Sequence, residues 1–531
     1  MNVKRRKSRN TTFIAVLVGV ITLMVLISGF FIVSWLGEDE RPPGSGTGSI
    51  SGSGPDPGSA PSPAPGSESP AAHSPGSAPG YTTSQTSEPV STQTPVHSPA
   101  PQPANRIEII DIADRSANLH ITERLSKLHE ALDAESASHN SMGVSLVAYD
   151  GFSARYYTYS YGYADKASER LIDIDTKIRI ASLSKFVVAI CAMKLVDADR
   201  LDLDEDISTY LGYRVRNPNY PNIPITSRML MQHSSSLHDS AAFTESLMGR
   251  DRRTTQNLLS RESSYFARPG STHQYTNFGY TVLGAVVEHA SGMKLDAFAR
   301  QVLFDPLGID AAFLAVNLDD TDSLATLYDA GHGVDRSVSA QISSNRQGAL
   351  GEDQHLAQGS LLISAFDYAK ILAMLGNGGV FLGVRILSAE SVSEIHKADF
   401  PGPVHSPGQP WYLQGLSTRL SDHDALEAAK PETTSTPAPA PGLPDGFDIL
   451  RFLGDNEGIY WHTGSAYGVF TQYIYISGSG TDEGTGGLDT SRGVVVITTG
   501  ARSGRAANGM VDICTHLSEI AWHGLGFDSR D

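Results

Sequence analysis

The chain has 531 residues, 40% of them hydrophobic, with a formal net charge of −18 and two cysteines, which excludes a wholly disordered protein, a collagen-like protein and a disulfide scaffold. Residues 1–10 hold five of the 40 basic side chains and no acid, so the remainder carries 35 basic against 58 acidic groups, or −23; such a body repels nucleic acid and anionic lipid, and no nucleic-acid partner is expected. Seventeen histidines form no HExxH and the cysteines no CxxC, so no metal or other cofactor is expected.

Residues 1–12 are basic, and Phe13 to Leu36 is a run of 24 uncharged residues. At 1.5 Å per residue it spans about 36 Å as a helix, enough to cross a bilayer. Glu38, Asp39 and Glu40 follow it, so the N-terminus is expected in the cytoplasm and the rest outside. A cleaved signal peptide is the alternative. Its apolar region is shorter and ends in a small-x-small site, whereas this run ends Ser34-Trp35-Leu36. The reading is a single-pass signal anchor in the cell membrane. Residues 37–106 are a Gly/Ser/Pro- then Ser/Thr/Pro-rich linker: 15 of the 29 prolines lie in 41–105, with Tyr81 the only aromatic residue there. That composition cannot build a core and reads as a tether.

From residue 107 the chain becomes globular. Ile121, Leu125, Leu128 and Leu132 recur at helical spacing. Met142–Tyr149 and Arg155–Tyr163 read as strands joined through Asp150-Gly151 in a hairpin. The middle, about 181 to 400, is mostly helix and loop. Pro431 to Pro444 carries five prolines and reads as part of an insertion at about 421–445. Thr471–Ile476 and Gly493–Thr499 are strand-like, and a last helix is expected over about 505–520. The loop between these strands, GSGTDEGTGG, lacks GKS or GKT and reads as a strand connection rather than a phosphate cradle. Strands at both ends with helices between them predict an α+β domain.

Three short motifs carry chemistry. Ser182-Leu-Ser-Lys185 precedes an uncharged run, Phe186–Met193, that reads as a buried helix. Ser182 at its N-terminus would sit among free N–H groups that stabilise an oxyanion. Lys185, one turn on, reaches the Ser182 hydroxyl, and a serine beside a base is an activated nucleophile. A lysine in so apolar a helix is costly unless it is paired or used. A second match, Ser291-Gly-Met-Lys294, reads as a helix boundary at Gly292. Tyr275-Thr-Asn277 is the second motif. A phenol beside an ammonium group can relay a proton, and Asn277 can donate toward Lys185's surroundings and a substrate amide. Tyr220-Pro-Asn222 is a decoy in a Pro-rich loop. His462-Thr463-Gly464-Ser465 is the third. A strand edge there would present polar side chains, Gly464 would let a substrate backbone approach, and the Ser465 N–H could complete an oxyanion hole with that of Ser182.

In this order, 93 and then 187 residues apart, the motifs resemble the serine β-lactamase/penicillin-binding protein superfamily. The likeness is to the branch of class C β-lactamases, D,D-carboxypeptidases and related esterases, whose second motif is Tyr-x-Asn. Gly162–Asp165, Met231–Leu237, Asp305–Gly308 and Gln358–Leu361 fit the same branch, so the resemblance covers about residues 110–525. It implies a β-lactamase/transpeptidase-like α+β fold, an antiparallel sheet flanked by helices plus a mainly helical subdomain. It also implies Ser182 as nucleophile, Lys185 as base, Tyr275 as proton relay, Asn277 on the substrate amide, and His462 and Thr463 facing a substrate carboxylate. The third motif starts with His rather than Lys, which resembles some D,D-carboxypeptidases and D-aminopeptidases, and Ser236 stands where the family usually has Gly.

The expected function is an extracytoplasmic serine hydrolase working through an acyl-enzyme on Ser182, D,D-peptidase-like on cell-wall peptides. An esterase or β-lactamase on the same scaffold competes with it, as does a penicillin-binding sensor without turnover. The expected partners are a peptide, ester or β-lactam substrate, cell-wall polymer and, through the N-terminal helix, the membrane. Cys191 and Cys514 fall on separate predicted helices and read as free thiols.

Overall fold

A computed structural model describes residues 106–111, 123–151, 155–344, 348–352, 356–400, 413–421, 458–478, 491–503 and 512–527. The apolar run Phe13–Leu36, the linker, the insertion around 421–445 and most of the Gly-rich loop lie outside them, as do residues 504–511.

Eight strands order the sheet: β1 (Arg106–Asp111), β2 (Gly143–Asp150), β3 (Arg155–Asp165), β4 (Leu413–Gln414), β5 (Arg419–Ser421), β6 (Ile459–Ala466), β7 (Val469–Ile476) and β8 (Arg492–Thr499). They lie in the order β1-β3-β2-β8-β7-β6-β5-β4, every neighbour antiparallel, and the short strand Arg170–Leu171 adds to β3. The hairpin of β2 and β3 therefore forms as expected, and the domain's two ends meet where β2 pairs β8, from Arg492↔Asp150 to Thr499↔Gly143.

Five helices matter below: α1 (Glu123–Ser138), α2 (Ser184–Asp197), α3 (Asn277–Ser291), α4 (Ala365–Gly376) and α5 (Asp512–Leu525). The first continues past Leu132 to Ser138, and Ile121 lies outside the described residues. The last ends at Leu525 rather than near 520.

Successive residues of a strand point to opposite faces, and here both faces are covered. Val144, Leu146 and Ala148 of β2 join Leu125, Leu128 and Leu132 of α1 and Ile513, Leu517 and Trp522 of α5. Val147 and Tyr149 of the same strand face the larger core containing α2, α3 and α4. This double burial explains why Met142–Tyr149 reads as a nearly unbroken apolar run. Trp461 and Trp522 are fully buried, and truncating either to alanine is expected to cost about 3–5 kcal/mol. Glu135 ties the two outer helices together: its Oε1 receives His139 Nε2, just past the end of α1, at 3.0 Å and His516 Nδ1 of α5 at 2.8 Å.

Cys191 and Cys514 are both free and fully buried. One belongs to the core on one face of the sheet and the other to the core on the opposite face. Burial pushes the Cys191 thiol up to about 12 and that of Cys514 higher still, so neither is poised as a reactive thiolate.

Candidate active site

The site begins in the single 3-10 turn Ala181–Leu183, which runs straight into α2. Ser182 is half-buried on that turn. The preceding Ala181 has φ +49°, a left-handed conformation that costs a residue with a Cβ on the order of 1 kcal/mol and persists only where its surroundings enforce it. Ser184 supplies part of that enforcement. Its hydroxyl donates to the Ala181 carbonyl at 2.6 Å and accepts from the Leu361 N–H at 3.0 Å.

Every residue from Phe186 to Met193 is buried, so α2 has no solvent face there, and Lys185 is only 1% exposed. Its amine is fixed by three neighbours. Nζ lies 3.1 Å from Ser182 Oγ, 2.9 Å from Asn277 Oδ1 and 2.5 Å from the Gln358 carbonyl. Asn277 Oδ1 and the Gln358 carbonyl can only accept, so both take hydrogens from the amine. The remaining corner of the tetrahedral nitrogen faces Ser182. There it is a lone pair when the amine is neutral and a donor when it is charged, the two states a proton-accepting base must pass through.

Asn277 is the first residue of α3, which is capped by Thr276 accepting from the Gly279 N–H at 3.3 Å. Its amide is engaged at both ends. It accepts from Lys185 rather than donating toward it, a correction to the expected polarity, and Nδ2 donates to Asp239 Oδ2 at 2.8 Å. Asp239 also accepts from Thr276 Oγ1 and the Phe278 N–H, each at 2.8 Å. One carboxylate thus secures the start of α3 and the side chain that holds Lys185. One Asn277 amide hydrogen remains for a substrate.

Tyr275 is half-buried, with its ring centroid 5.1 Å from Lys185 Nζ. Its other neighbour is His233, 4.3 Å between centroids. His233 Nδ1 accepts the Thr276 N–H at 3.2 Å and its carbonyl accepts the Gln274 N–H at 2.8 Å. The His233–Leu237 loop is therefore the support on which the second motif rests. Ser236 in that loop has φ +69°, the conformation for which glycine is the usual choice. The departure from the family's glycine keeps the glycine-like backbone.

His462 lies on β6, 6.2 Å from Tyr275 between centroids. Strand β5 pairs with Ile459–Trp461, and from His462 onward no strand among the described residues pairs β6 on the side away from β7. His462 is buried, and its Nδ1 donates to the Thr463 carbonyl at 2.7 Å. Burial above all, with repulsion from Arg419 and Lys185, holds it far below the usual imidazole range. His233 is likewise held far down by burial, then by His273 and Lys185, and burial brings His273 to about 4. All three are neutral at pH 7, so His462 offers a substrate carboxylate no positive charge. Arg419, on the neighbouring strand, is stacked 4.8 Å over the Trp461 ring. Thr463 follows half-buried and Ser465 exposed.

Gly464 does a different job from the one expected. A Cβ there would stand 2.9 Å from the Ser182 nitrogen and 2.8 Å from the Ile180 carbonyl oxygen, and would collide with Thr471 Oγ1. The backbone that approaches closely is the protein's own, and the contact sets the distance between the third motif and the turn carrying Ser182. Gly464→Ala is expected to force β6 away from that turn, costing about 1–3 kcal/mol of stability and about 100-fold in kcat/KM, by analogy with losing one oxyanion donor. Chemical denaturation and steady-state kinetics on the same preparation check it; unchanged kinetics would show that this spacing is unimportant.

The structure thus brings Ser182, Lys185, Asn277 and Tyr275 together, with Gly464 against the first. Asp239, the Gln358 carbonyl and Arg419 carry no motif of their own. Asp239 lies two residues past Leu237, and Gln358 opens a stretch whose family likeness suggested no role. The two decoys stand apart from this cluster: Ser291 Oγ is bonded to the Glu288 and Met293 carbonyls, and Tyr220 is exposed on its loop.

Residues 128–511 match the protein family described as Beta-lactamase. The chain belongs to that family. Within it, this β-lactamase-family chain is 31% identical over 173 residues to esterase EstB of Burkholderia gladioli, 30% of this chain and 44% of the relative. It is 29% identical over 171 residues to the D-alanyl-D-alanine-carboxypeptidase/endopeptidase AmpH of Escherichia coli strain K12, 32% of this chain and 44% of the relative. In neither case does the match reach half of the relative's own length. The fold is that of the octameric penicillin-binding protein homologue from Pyrococcus abyssi, with a TM-score of 0.52 at 20% identity over 76% of this chain and 77% of that one.

Proposed function

We propose that this chain is a serine hydrolase that forms an acyl-enzyme on Ser182 and acts, D,D-peptidase-like, on cell-wall stem peptides outside the membrane. The observation that carries the reading is the Lys185 amine, whose one uncommitted corner faces Ser182 Oγ at 3.1 Å. Ser182 Oγ attacks the substrate carbonyl as its proton passes to Lys185. The carbonyl oxygen becomes an oxyanion facing the N–H groups of Ser182 and Ser465. The proton then goes to the leaving amine, with Tyr275 placed to relay it, and the amine departs. Water attacks the ester that remains, the proton path runs in reverse, and Ser182 is restored. Asn277 and Thr463 orient the peptide.

The likeness to AmpH supports a D-alanyl-D-alanine substrate. The location rests on sequence: Phe13–Leu36 as an anchor with residues 37–106 as a tether suits a substrate in a polymer layer. The full-length chain should then leave the membrane fraction with detergent and not with alkaline carbonate.

A second reading, an esterase, is favoured by one observation. Neutral His462 leaves the third motif without the charge that would hold a substrate's terminal carboxylate, and EstB is among the relatives. Intact-mass measurement against a panel separates the readings. D-alanine release from D-Ala-D-Ala peptides, with a transient adduct on the Ser182 peptide, is the expected result. Turnover of p-nitrophenyl esters alone makes the chain an esterase, and of nitrocefin alone a β-lactamase. An adduct that never decays makes it a sensor.

A further inference from the structure

Beside the candidate site lies a cavity of about 910 Å³, a size suited to a peptide side chain or a short segment. Three of its walls continue the segments that build the site. Arg179 stands three residues before Ser182, Ser360 two after Gln358, and Tyr467 three after Gly464. Three residues of chain reach at most about 10 Å, so Arg179 is never far from the reacting carbonyl.

Tyr467 is an unusual choice for its position. Ala466 pairs Val469 across the β6–β7 hairpin, leaving Tyr467 and Gly468 as the two turn residues, with φ +54° and +70°. Such a turn takes Asn, Asp or Gly at its first position because a larger side chain is strained there. Local backbone preference therefore does not account for a tyrosine here, whereas its surroundings do. The Arg179 guanidinium lies 4.8 Å from the ring centroid and that of Arg336 4.4 Å.

The two arginines differ in how they are compensated. Arg336 is exposed and bonds Asp335 at 2.9 Å. Arg179 donates from Nε to the Gly359 carbonyl at 2.8 Å and from Nη2 to Ser360 Oγ at 2.9 Å. Both acceptors are uncharged, and among the described residues no carboxylate pairs with Arg179. Burial, together with the charge of Arg336, depresses its hold on its proton. Outside its first ten residues the chain carries 58 acidic against 35 basic side chains, so a carboxylate-free arginine lining a cavity is not a sample of a generally basic surface. A guanidinium is a planar fork of donors that matches a carboxylate, and it keeps its charge under all ordinary conditions.

We propose that this cavity is a specificity pocket for the acyl half of the substrate, in which Arg179 and Arg336, gripped about the Tyr467 ring, bind a carboxylate that the acyl half carries. The substrate class is then an acyl donor with a negative charge one residue or a few bonds away from the scissile carbonyl. This rests on the acyl-enzyme reading of Ser182.

Two matched substrate pairs test it. One is N-acetyl-Glu-D-Ala-D-Ala against N-acetyl-Gln-D-Ala-D-Ala, and the other p-nitrophenyl hydrogen glutarate against p-nitrophenyl butyrate. The wild-type chain is expected to prefer the acidic member by at least tenfold in kcat/KM in whichever pair it turns over. Arg336→Gln changes an exposed side chain and leaves the fold alone. It is expected to cut that preference, read as the ratio of the two members' kcat/KM, at least threefold. Arg179→Gln should remove the preference altogether. Turnover without preference, or a preference that Arg336→Gln leaves intact, overturns the pocket and leaves Ser182 chemistry standing. Failure to form an adduct on Ser182 with any of the four overturns the reading beneath it as well.

Discussion

Ser182→Ala is expected to abolish covalent labelling by a fluorescent penicillin and to lower kcat/KM by about 10⁴- to 10⁶-fold, the range seen when a hydrolase loses its nucleophile. The fold should hardly register the change. The side chain is half-buried, and its described bond is the one from Lys185, so stability should move by no more than about 0.5 kcal/mol. The other Ser-x-x-Lys in the chain cannot take over. Ser291 is buried and bonded to backbone carbonyls, and Lys294 Nζ lies 3.4 Å from Glu288 Oε2. Labelling of Ser182→Ala at the wild-type rate would remove Ser182 from the mechanism.

Lys185→Met should lower the single-turnover acylation rate about 10³-fold with Ser182 still in place, within the range for losing a general base. Methionine fills the same space and carries no proton acceptor, so the loss reports on the proton path rather than on a cavity. Two effects on stability oppose each other. The Asn277 and Gln358 oxygens lose a donor, at about 1–3 kcal/mol for a stranded buried group, while the demand for burying a charge disappears. The melting temperature should therefore shift by only a few degrees. Because the two residues act as a unit, the double variant should be no slower than Ser182→Ala alone. Acylation of Lys185→Met within tenfold of wild type would mean that some other group takes the Ser182 proton.

What could be read from the sequence was local. Ser182 and Lys185 are three residues apart on one helix, so their meeting follows from helical geometry alone. The burial of Lys185 followed from the uncharged run after it, and the meeting of the Met142–Tyr149 strand with the last strand from where β-rich stretches fall in the chain. What could not be read depends on contacts between distant segments. The bond from Asn277 to Asp239 crosses 38 positions and that from Lys185 to the Gln358 carbonyl 173, and neither partner belongs to a catalytic motif. Gly464 was rightly seen as a place of close approach, but the sequence does not say whose backbone approaches. His462 was read from its residue type as a carboxylate partner; the burial that holds it neutral is a property of the packed sheet.

The pairing of β2 with β8 also constrains how the domain is made. Asp150 waits for Arg492, 342 residues later. At about 5–20 residues per second, synthesis of that interval takes roughly 20–70 s. Throughout it the nascent β2–β3 hairpin has an unpaired edge rich in Val, Leu and Tyr, the kind of surface that recruits other chains. Closure of so long a loop is slow in its own right. The newly made chain is thus a client for a holding factor until its last strand is delivered, and truncation before Arg492 should yield aggregate rather than a smaller folded unit.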